Sequence, residues 1–312
     1  MFTIQKQRYI TLLLILFTTI IQAQQDPLYT QYFNNLPLLN PSFTGQFTNT
    51  TFTLSTRNQW TGIEDAPGTQ SFAIGLPLNN KIGIGFSIVN DQVSVLKETH
   101  FFTDISYTIQ VQEQASVSFG LKAGGSSLNA DLLSLNISDD PAFNQNIDEF
   151  NANFGIGVNY ITKNYYIGLS ALNLLEKKHF DKSNNNFSSS ASEKSKFYMN
   201  GGYNYLLNEF ITLKPSFITR YVQGTPLSMD LSLNGVYNQL LEAGVSYRFG
   251  ESVATLLQFN LSDAFKMGYS YDYVFGNLGE FSNGSHELFF QITIGEKKEI
   301  KPVENIIFEE HN

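Results

Sequence analysis

The sequence contains no cysteine, which excludes disulfide bonds, thiolate metal sites and a lipid-modified N-terminal cysteine. Charged residues are scarce, at 15% of the chain, whereas soluble domains carry about 25%. The formal net charge is −9 and no basic patch is concentrated on one face, so nucleic acid is not an expected partner. After the N-terminal region no stretch is long and apolar enough for a membrane helix.

The longest apolar run lies at the N-terminus. Basic residues precede the apolar stretch Tyr9–Ile21, and Ala23 ends a loose small-residue cleavage site. The stretch is shorter than the roughly 20 residues that a helix needs to cross a bilayer. We therefore predict a signal peptide at residues 1–23, with Gln24 as the first mature residue. An uncleaved anchor is the alternative.

Aromatic residues are abundant, with 27 Phe and 16 Tyr, and the strand-like segments alternate strictly. In Ala115–Lys122, the apolar residues Val117, Phe119 and Leu121 alternate with serine, glycine and lysine. A period of two places the two sets on opposite faces of a sheet. One apolar face and one face of glycine, serine and charge are typical of a barrel with lipid outside and water inside. The prediction is an all-β fold, a transmembrane antiparallel β-barrel of the outer-membrane type with about 14 strands, over residues 50–295.

The predicted connections differ in length with strand parity. Short turns follow the even-numbered strands, and longer segments follow strands 3, 5, 7 and 13, the largest being Ser127–Phe150 and Asn173–Ser195. The connections after strands 9 and 11 are short. Outer-membrane barrels have short periplasmic turns and long extracellular loops, so both chain ends, including the charged tail at residues 296–312, are predicted to be periplasmic. A soluble β-sandwich would not be expected to sort its loops by parity.

The N-terminal segment at residues 24–49 does not follow the strand pattern. It contains Asp26-Pro27 and Asn40-Pro41, which are common turn-forming pairs. The segment is either a flexible periplasmic leader or a plug that folds into the lumen. We prefer the plug.

By alternation, a set of charged side chains should face the lumen. They are Lys122, Lys214, Arg220, Asp230, Glu242, Arg248, Lys266 and Asp272. Most belong to neighbouring strands, where opposite charges can pair and fix the register. The set either braces a closed barrel, which we favour, or lines a selective pore or a partner-binding lumen.

The first outer loop contains the candidates Arg57, Trp60, Ala66 and Pro67. Trp60 is either an interfacial anchor or, with Ala66 and Pro67, part of a rigid edge that contacts a partner or closes the mouth of the barrel.

The pair His286-Glu287 is not expected to have a catalytic role. A second histidine at zincin spacing is missing, and no glycine-flanked nucleophilic serine is evident. We predict that the pair begins the final strand, and that the chain is not an enzyme and has no metal site or cofactor.

Several short motifs occur in order along the chain. They are Gln25-Asp26-Pro27, Asn40-Pro41-Ser42-Phe43-Thr44-Gly45, Arg57-Asn58-Gln59-Trp60, Ala66-Pro67-Gly68-Thr69-Gln70, Gly268-Tyr269-Ser270-Tyr271-Asp272-Tyr273 and Gly284-Ser285-His286-Glu287. Together they resemble the PorP/SprF family of type IX secretion system membrane proteins. The tail after Gly295 departs from the family pattern, as does Ser42-Phe43, where Ala-Tyr is usual.

The resemblance implies an outer-membrane barrel that supports export or surface attachment of adhesin-like proteins with a C-terminal sorting domain. The partners it implies are such an adhesin, periplasmic components of the secretion system and outer-membrane lipid. The alternatives are a transport channel for a small apolar solute and a passive structural barrel. A charged, glycine-rich lumen argues against the channel.

Overall fold

A computed structural model describes residues 29–46, 49–137, 143–175 and 194–295. Its strands form one closed antiparallel sheet of 14 strands, in which β14 pairs with β1, so the predicted fold class is confirmed. The strands are β1 Thr50–Asn58, β2 Gly68–Pro77, β3 Ile82–Val93, β4 Leu96–Gln112, β5 Ala115–Ala130, β6 Ile147–Thr162, β7 Tyr165–Leu172, β8 in two parts (Lys196–Tyr203 and Tyr205–Leu206), β9 Ile211–Val222, β10 Ser228–Tyr237, β11 Leu241–Arg248, β12 Ser252–Ser262, β13 Phe265–Val274 and β14 Ser285–Ile294.

The helical elements are short. They are Tyr32–Asn34, Leu36–Leu39 and Pro41–Phe43 before the barrel, Leu132–Leu135 between β5 and β6, and Asn277–Phe281 between β13 and β14. In the described part of the chain, no helix has the length and apolar character required to cross a bilayer.

The alternation of the sequence appears directly in the burial of the strands. On β5, Phe119 and Leu121 are 52% and 57% exposed on the outer face, whereas Ser118 and Lys122 are buried on the inner face. The outer face is therefore the apolar surface that lipid requires, and the inner face carries the polar groups.

The two ends of the barrel differ in their connections. The connections after even-numbered strands are tight, for example residues 113–114 and 163–164, and we call this end the short-turn end. The opposite, long-loop end carries most of the larger connections, among them residues 59–67, 131–146 and 275–284.

Two predicted loops are shorter than expected. The connection after β3 is only Ser94–Val95, because β3 and β4 remain paired as far as Val93 and Leu96. The predicted loop Ser127–Phe150 is reduced in the same way, since β5 and β6 stay paired to Ala130 and Ile147. These hairpins continue beyond the alternating apolar stretches that mark the strands in the sequence.

The core of the molecule lies inside the barrel. Barrels of about eight strands are filled by their own side chains, and those of 16–18 strands leave an aqueous channel. Here residues 29–46, which we call the lumen segment, occupy the space inside 14 strands. Tyr32 and Leu39 of this segment pack with Leu172, Tyr198 and Ile218 in a buried apolar cluster. The lumen is therefore partly apolar, which the sequence did not lead us to expect.

Candidate functional site

The lumen segment runs from the long-loop end of the barrel to the short-turn end. Thr30 lies beside Glu287, near the start of β14, at the long-loop end. At the other end, a Cβ added to Gly45 would overlap the backbone of Gly83, close to the turn between β2 and β3. The segment therefore crosses the lumen, and polar contacts hold it along its length.

The first contact is a buried cluster around Arg57 at the long-loop end. The Nη2 of Arg57 lies 2.6 Å from Asp272 Oδ2, and its Nη1 lies 3.1 Å from Glu287 Oε2. Thr30 completes the cluster: its backbone N–H donates to Glu287 Oε2 (2.8 Å) and its hydroxyl donates to Asp272 Oδ2 (2.7 Å). Charge-assisted hydrogen bonds of this kind are about twice as strong as neutral ones. The cluster fixes the lumen segment to β1, β13 and β14.

The second contact is made by Asn40, which is fully buried. Its Oδ1 accepts hydrogen bonds from the backbone N–H (3.0 Å) and hydroxyl (2.6 Å) of Ser42. Its Nδ2 donates to the carbonyl oxygens of Val158 (3.3 Å) and Leu169 (3.2 Å), which are opposed on β6 and β7. The Nδ2 of Asn159 in turn donates to Ser42 Oγ (2.9 Å). The motif at Asn40 thus forms a helical turn and binds it to the wall.

The third contact lies on the wall formed by β4 and β5. Lys122 Nζ lies 2.8 Å from Asp104 Oδ1, and Thr44 Oγ1 donates to Asp104 Oδ2 (3.2 Å). The hydroxyl of Ser106 donates to the carbonyl oxygen of Thr44 at 2.6 Å. The wall and the lumen segment therefore share one buried polar network.

Inward-facing glycines allow the lumen segment to approach the wall. A Cβ added to Gly120 would overlap the backbone of Pro41 and Ser42, and one added to Gly83 would overlap the carbonyl oxygen of Thr44. Only glycine leaves room for backbone at this distance. The lumen segment is therefore packed directly against the wall and forms part of the barrel interior.

Two further pairs cross-link the wall itself. Arg248 and Asp230 occupy opposed positions on β10 and β11, and Arg248 Nε and Nη2 donate to the two carboxylate oxygens of Asp230 at 2.9 and 2.7 Å. Lys214 Nζ lies 2.8 Å from Glu242 Oε2. Asp230 and Arg248 brace neighbouring strands, whereas the Lys214–Glu242 pair reaches across β10 and joins β9 to β11.

The remaining lumen candidates have less definite positions. Arg220 is half-buried near the start of the connection between β9 and β10 and has an interaction partner. Lys266 lies at the short-turn end beside Lys214 and Glu242. Asp26 and Pro27 lie outside the described residues.

The rim at the long-loop end is braced on both sides. Trp60 is half-buried with a φ of 48°, which is uncommon for a bulky residue, and its N–H donates to Ser285 Oγ (3.1 Å). Thr61 N–H donates to the carbonyl oxygen of Gly284 (2.8 Å), and Ser94 N–H donates to that of Asp65 (3.2 Å). The connection at residues 59–67 is thereby tied to both neighbouring connections.

The other candidates of this loop divide between rim and lumen. Pro67 is buried and Ala66 is half-buried, and the Pro67 carbonyl oxygen accepts from Gln59 N–H at 2.9 Å. Arg57, whose motif continues into the outer loop, lies on β1 and points into the lumen.

The pair His286-Glu287 begins the last strand, as predicted, and its side chains lie on opposite faces. His286 faces outward, where its Nδ1 lies 2.7 Å from the Tyr269 hydroxyl, whereas Glu287 is buried in the lumen. Within the described residues, no group of three or more His, Asp or Glu side chains could hold a metal ion.

Sequence reasoning missed Asp104, Thr30 and Thr44. Alternation on β4 would have found Asp104, which shares the inner face with His100 and Ser106. No periodic pattern marks Thr30 or Thr44, because the lumen segment is irregular and its partners are far away in sequence.

Solved structures similar to this chain are outer-membrane channels and transporters. The CymD monoaromatic hydrocarbon channel matches 83% of this chain and 92% of its own, with a TM-score of 0.53 and 12% identity. The P. putida toluene transporter TodX covers 83% and 93% (TM-score 0.49, 10% identity), and a Pseudomonas aeruginosa FadL homologue covers 81% and 91% (0.46, 12%). At these identities the likeness concerns the fold alone. No curated protein matches the chain.

The match in sequence identifies the family, whereas the similarity in structure identifies only the fold. The model of the family described as type IX secretion system membrane protein PorP/SprF matches residues 21–292. This range includes the lumen segment, the Arg57 cluster and all 14 strands except the end of β14. The chain therefore belongs to the PorP/SprF family of type IX secretion system membrane proteins.

Proposed function

We propose that this outer-membrane barrel holds an adhesin-like protein with a C-terminal sorting domain at the cell surface during type IX secretion. The observation that carries the proposal is the family match over residues 21–292. In this arrangement the signal peptide is removed, the long-loop end faces outward and the short-turn end faces periplasmic components of the secretion system. The C-terminal end is then periplasmic. Tyr29, the first described residue, lies among residues of the long-loop half, so the periplasmic position is proposed for the C-terminal end alone.

The filled lumen supports holding over passage. Within the described chain, buried polar bonds join the lumen segment to wall strands around the barrel, including β1, β4, β6, β13 and β14. Passage of a polypeptide would require these bonds to break. Because an unpaired buried polar group costs about 1–3 kcal/mol, the filled state is strongly favoured. The charged pairs accordingly serve as braces.

The rim at the long-loop end is the proposed contact surface for the adhesin. Its connection at residues 59–67 is held by backbone hydrogen bonds to residues 283–284 and Ser94. A rigid rim loses little conformational entropy on binding, which favours a stable complex. Trp60, which is only partly buried, is the aromatic residue that such a surface presents.

A channel for a small apolar solute is the alternative function. Two cavities beside Tyr29 have volumes of about 80 and 30 Å³, below the roughly 300–1,000 Å³ of typical ligand pockets. These volumes argue against solute binding at the long-loop end. Uptake of an apolar solute by vesicles reconstituted with the protein would favour the channel.

The test is affinity purification of the tagged protein from its native outer membrane in mild detergent, followed by mass spectrometry. We expect a large protein with a C-terminal sorting domain to co-purify, together with periplasmic secretion components. Recovery of the folded barrel alone would contradict the proposal. Deletion of the gene should also leave such proteins unattached, and normal attachment of every surface protein would refute it.

A further inference from the structure

A cavity of about 420 Å³ lies at the short-turn end, between the lumen segment and the wall. Its apolar side is formed by Phe33, Leu36, Pro37 and Phe43 of the lumen segment. The volume falls within the roughly 300–1,000 Å³ of typical ligand pockets. The lining of the cavity includes no residue of the Arg57 cluster and neither Asp104 nor Lys122, and the cavity lies at the opposite end from the rim.

The polar side of the cavity has unused hydrogen-bonding capacity. Asn234 Oδ1, Gln258 Oε1 and Asn34 Nδ2 are buried and make no hydrogen bond with the described residues. The residues Asn234 and Gln258 are 2% and 5% exposed. These three atoms are not accessible to a water molecule, so an occupant of the cavity would reach them only after the side chains turn. The polar groups that the cavity offers directly to an occupant include the ammonium groups of Lys214 and Lys266.

The cavity also has an excess of positive charge. Lys214 is paired with Glu242, whose second carboxylate oxygen accepts from Asn234 Nδ2 at 2.8 Å. Lys266 lines the same cavity and makes no ion pair or hydrogen bond with any described residue. Two lysines thus lie beside one carboxylate. A second carboxylate would give Lys266 an ion-pair partner and balance the charge of the cavity.

We infer that this cavity binds a polypeptide segment that carries a carboxylate next to bulky apolar side chains, and that the segment is Ile306–Glu310 of the chain itself. That sequence, Ile-Ile-Phe-Glu-Glu, combines the two features that the cavity requires. Its carboxylate binds Lys266, and its apolar side chains contact the apolar side of the cavity.

Chain connectivity allows this segment to reach the cavity. β14 ends at Ile294, opposite Thr50, at the short-turn end, and Gln291 of the same strand lines the cavity. An extended chain covers about 3.3 Å per residue, so the residues between Gly295 and Ile306 can span on the order of 35 Å. The inference does not depend on the proposed adhesin role.

The experiment is zero-length carbodiimide cross-linking of the purified full-length protein in detergent, with the linked peptides identified by mass spectrometry. We expect an amide bond between Lys266 Nζ and the carboxylate of Glu309 or Glu310, at a yield at least tenfold above that of Lys81. Lys81 is the matched control because it is exposed in the turn between β2 and β3, at the same end. The Lys214–Glu242 pair, in which the Glu242 carboxylate is buried and Lys214 is partly exposed, is the positive control for linkage within the barrel.

Two variants make the result decisive. Lys266→Gln should abolish the link while the barrel remains folded, as judged by its resistance to detergent. Phe308 follows the last strand in sequence, so Phe308→Ser leaves the fourteen strands unchanged, and it should reduce the yield at Lys266 several-fold. A free peptide of sequence 304–312 should compete with the link in the unaltered protein. Absence of the Lys266 link, an equal yield at Lys81, or no effect of Phe308→Ser would each overturn the inference.

Discussion

Lys122 and Asp104 occupy directly opposed positions on β4 and β5, with Lys122 Nζ 2.8 Å from Asp104 Oδ1. Both side chains are buried. Thr44 Oγ1 adds a hydrogen bond from the lumen segment to the same carboxylate. One buried ion pair therefore joins two strands of the wall to the segment that fills the barrel.

Replacement of Lys122 by Met should strongly destabilise the barrel. Asp104 would remain as an uncompensated buried charge, which costs about 3–5 kcal/mol in the free energy of unfolding. The measurement is urea unfolding in detergent micelles, monitored by the fluorescence of Trp60, the only tryptophan. Lys81→Met, at an exposed turn, is the control and should change the free energy by less than about 0.5 kcal/mol.

The double variant Lys122→Met/Asp104→Leu should be less destabilised than Lys122→Met alone, because it removes the stranded charge together with its partner. Asp104→Leu completes the cycle. If the loss in the free energy of unfolding of the double variant equals the sum of the losses of Lys122→Met and Asp104→Leu, the two side chains do not stabilise each other.

Substitutions of two neighbouring residues on β14 should lower the midpoint of thermal unfolding by unequal amounts. Glu287→Gln removes the charge that accepts hydrogen bonds from Thr30 and Arg57, and hydrogen bonds to charged groups contribute about 1.5–3 kcal/mol. His286→Ala, one residue away on the outer face, should cost less. Heat-modifiable migration in electrophoresis gives the midpoint of thermal unfolding for each variant. Equal midpoints would show that the Arg57 cluster does not support the barrel.

Gly120→Ala should displace the lumen segment. The new Cβ would overlap the backbone of Ser42, and overpacking of this kind costs about 1–3 kcal/mol. Gly235→Ala is the matched control, because its Cβ would meet only ordinary van der Waals contacts. Dye efflux from reconstituted vesicles should rise for Gly120→Ala and stay at the unaltered level for Gly235→Ala. Equal efflux from both variants would mean that the segment does not seal the lumen.

Trp60→Ala should weaken association with the adhesin more than it weakens folding. The backbone of this residue is held by Ser285, so the loop keeps its shape when the ring is removed. The comparison is the amount of co-purified partner per folded barrel, with His286→Ala as control. A variant that inserts poorly but binds normally once inserted would identify Trp60 as a membrane anchor only.

The sequence was informative wherever lipid imposed a pattern. Alternation assigned the inner and outer faces of β5 and placed Asp230 and Arg248 on one face, where the register makes them partners. It was uninformative beyond the lipid, because both faces of a strand then meet water or protein. For that reason the sequence predicts a loop at Val93 and Leu96, although the two residues are paired.

The interior of the barrel was predictable only in outline. The prolines and asparagines of the N-terminal segment favoured a plug, but they could not identify Asn40 as the residue that binds β6 and β7. Its partners, the carbonyl oxygens of Val158 and Leu169, are backbone groups that every residue type carries. Such contacts depend on three-dimensional position, so the residue types in the sequence do not reveal them.

The bonds made by Thr30 have a consequence for the order of folding. They join residue 30 to partners 242 and 257 positions later in the chain, on the last two strands. Contacts of such sequence separation form slowly, because a long loop must close before they contribute. A segment that precedes all fourteen strands in the sequence therefore reaches its final position only when the last hairpin arrives. Closure of the seam between β14 and β1 then encloses the segment, so completion of the barrel and immobilisation of the segment are a single late step.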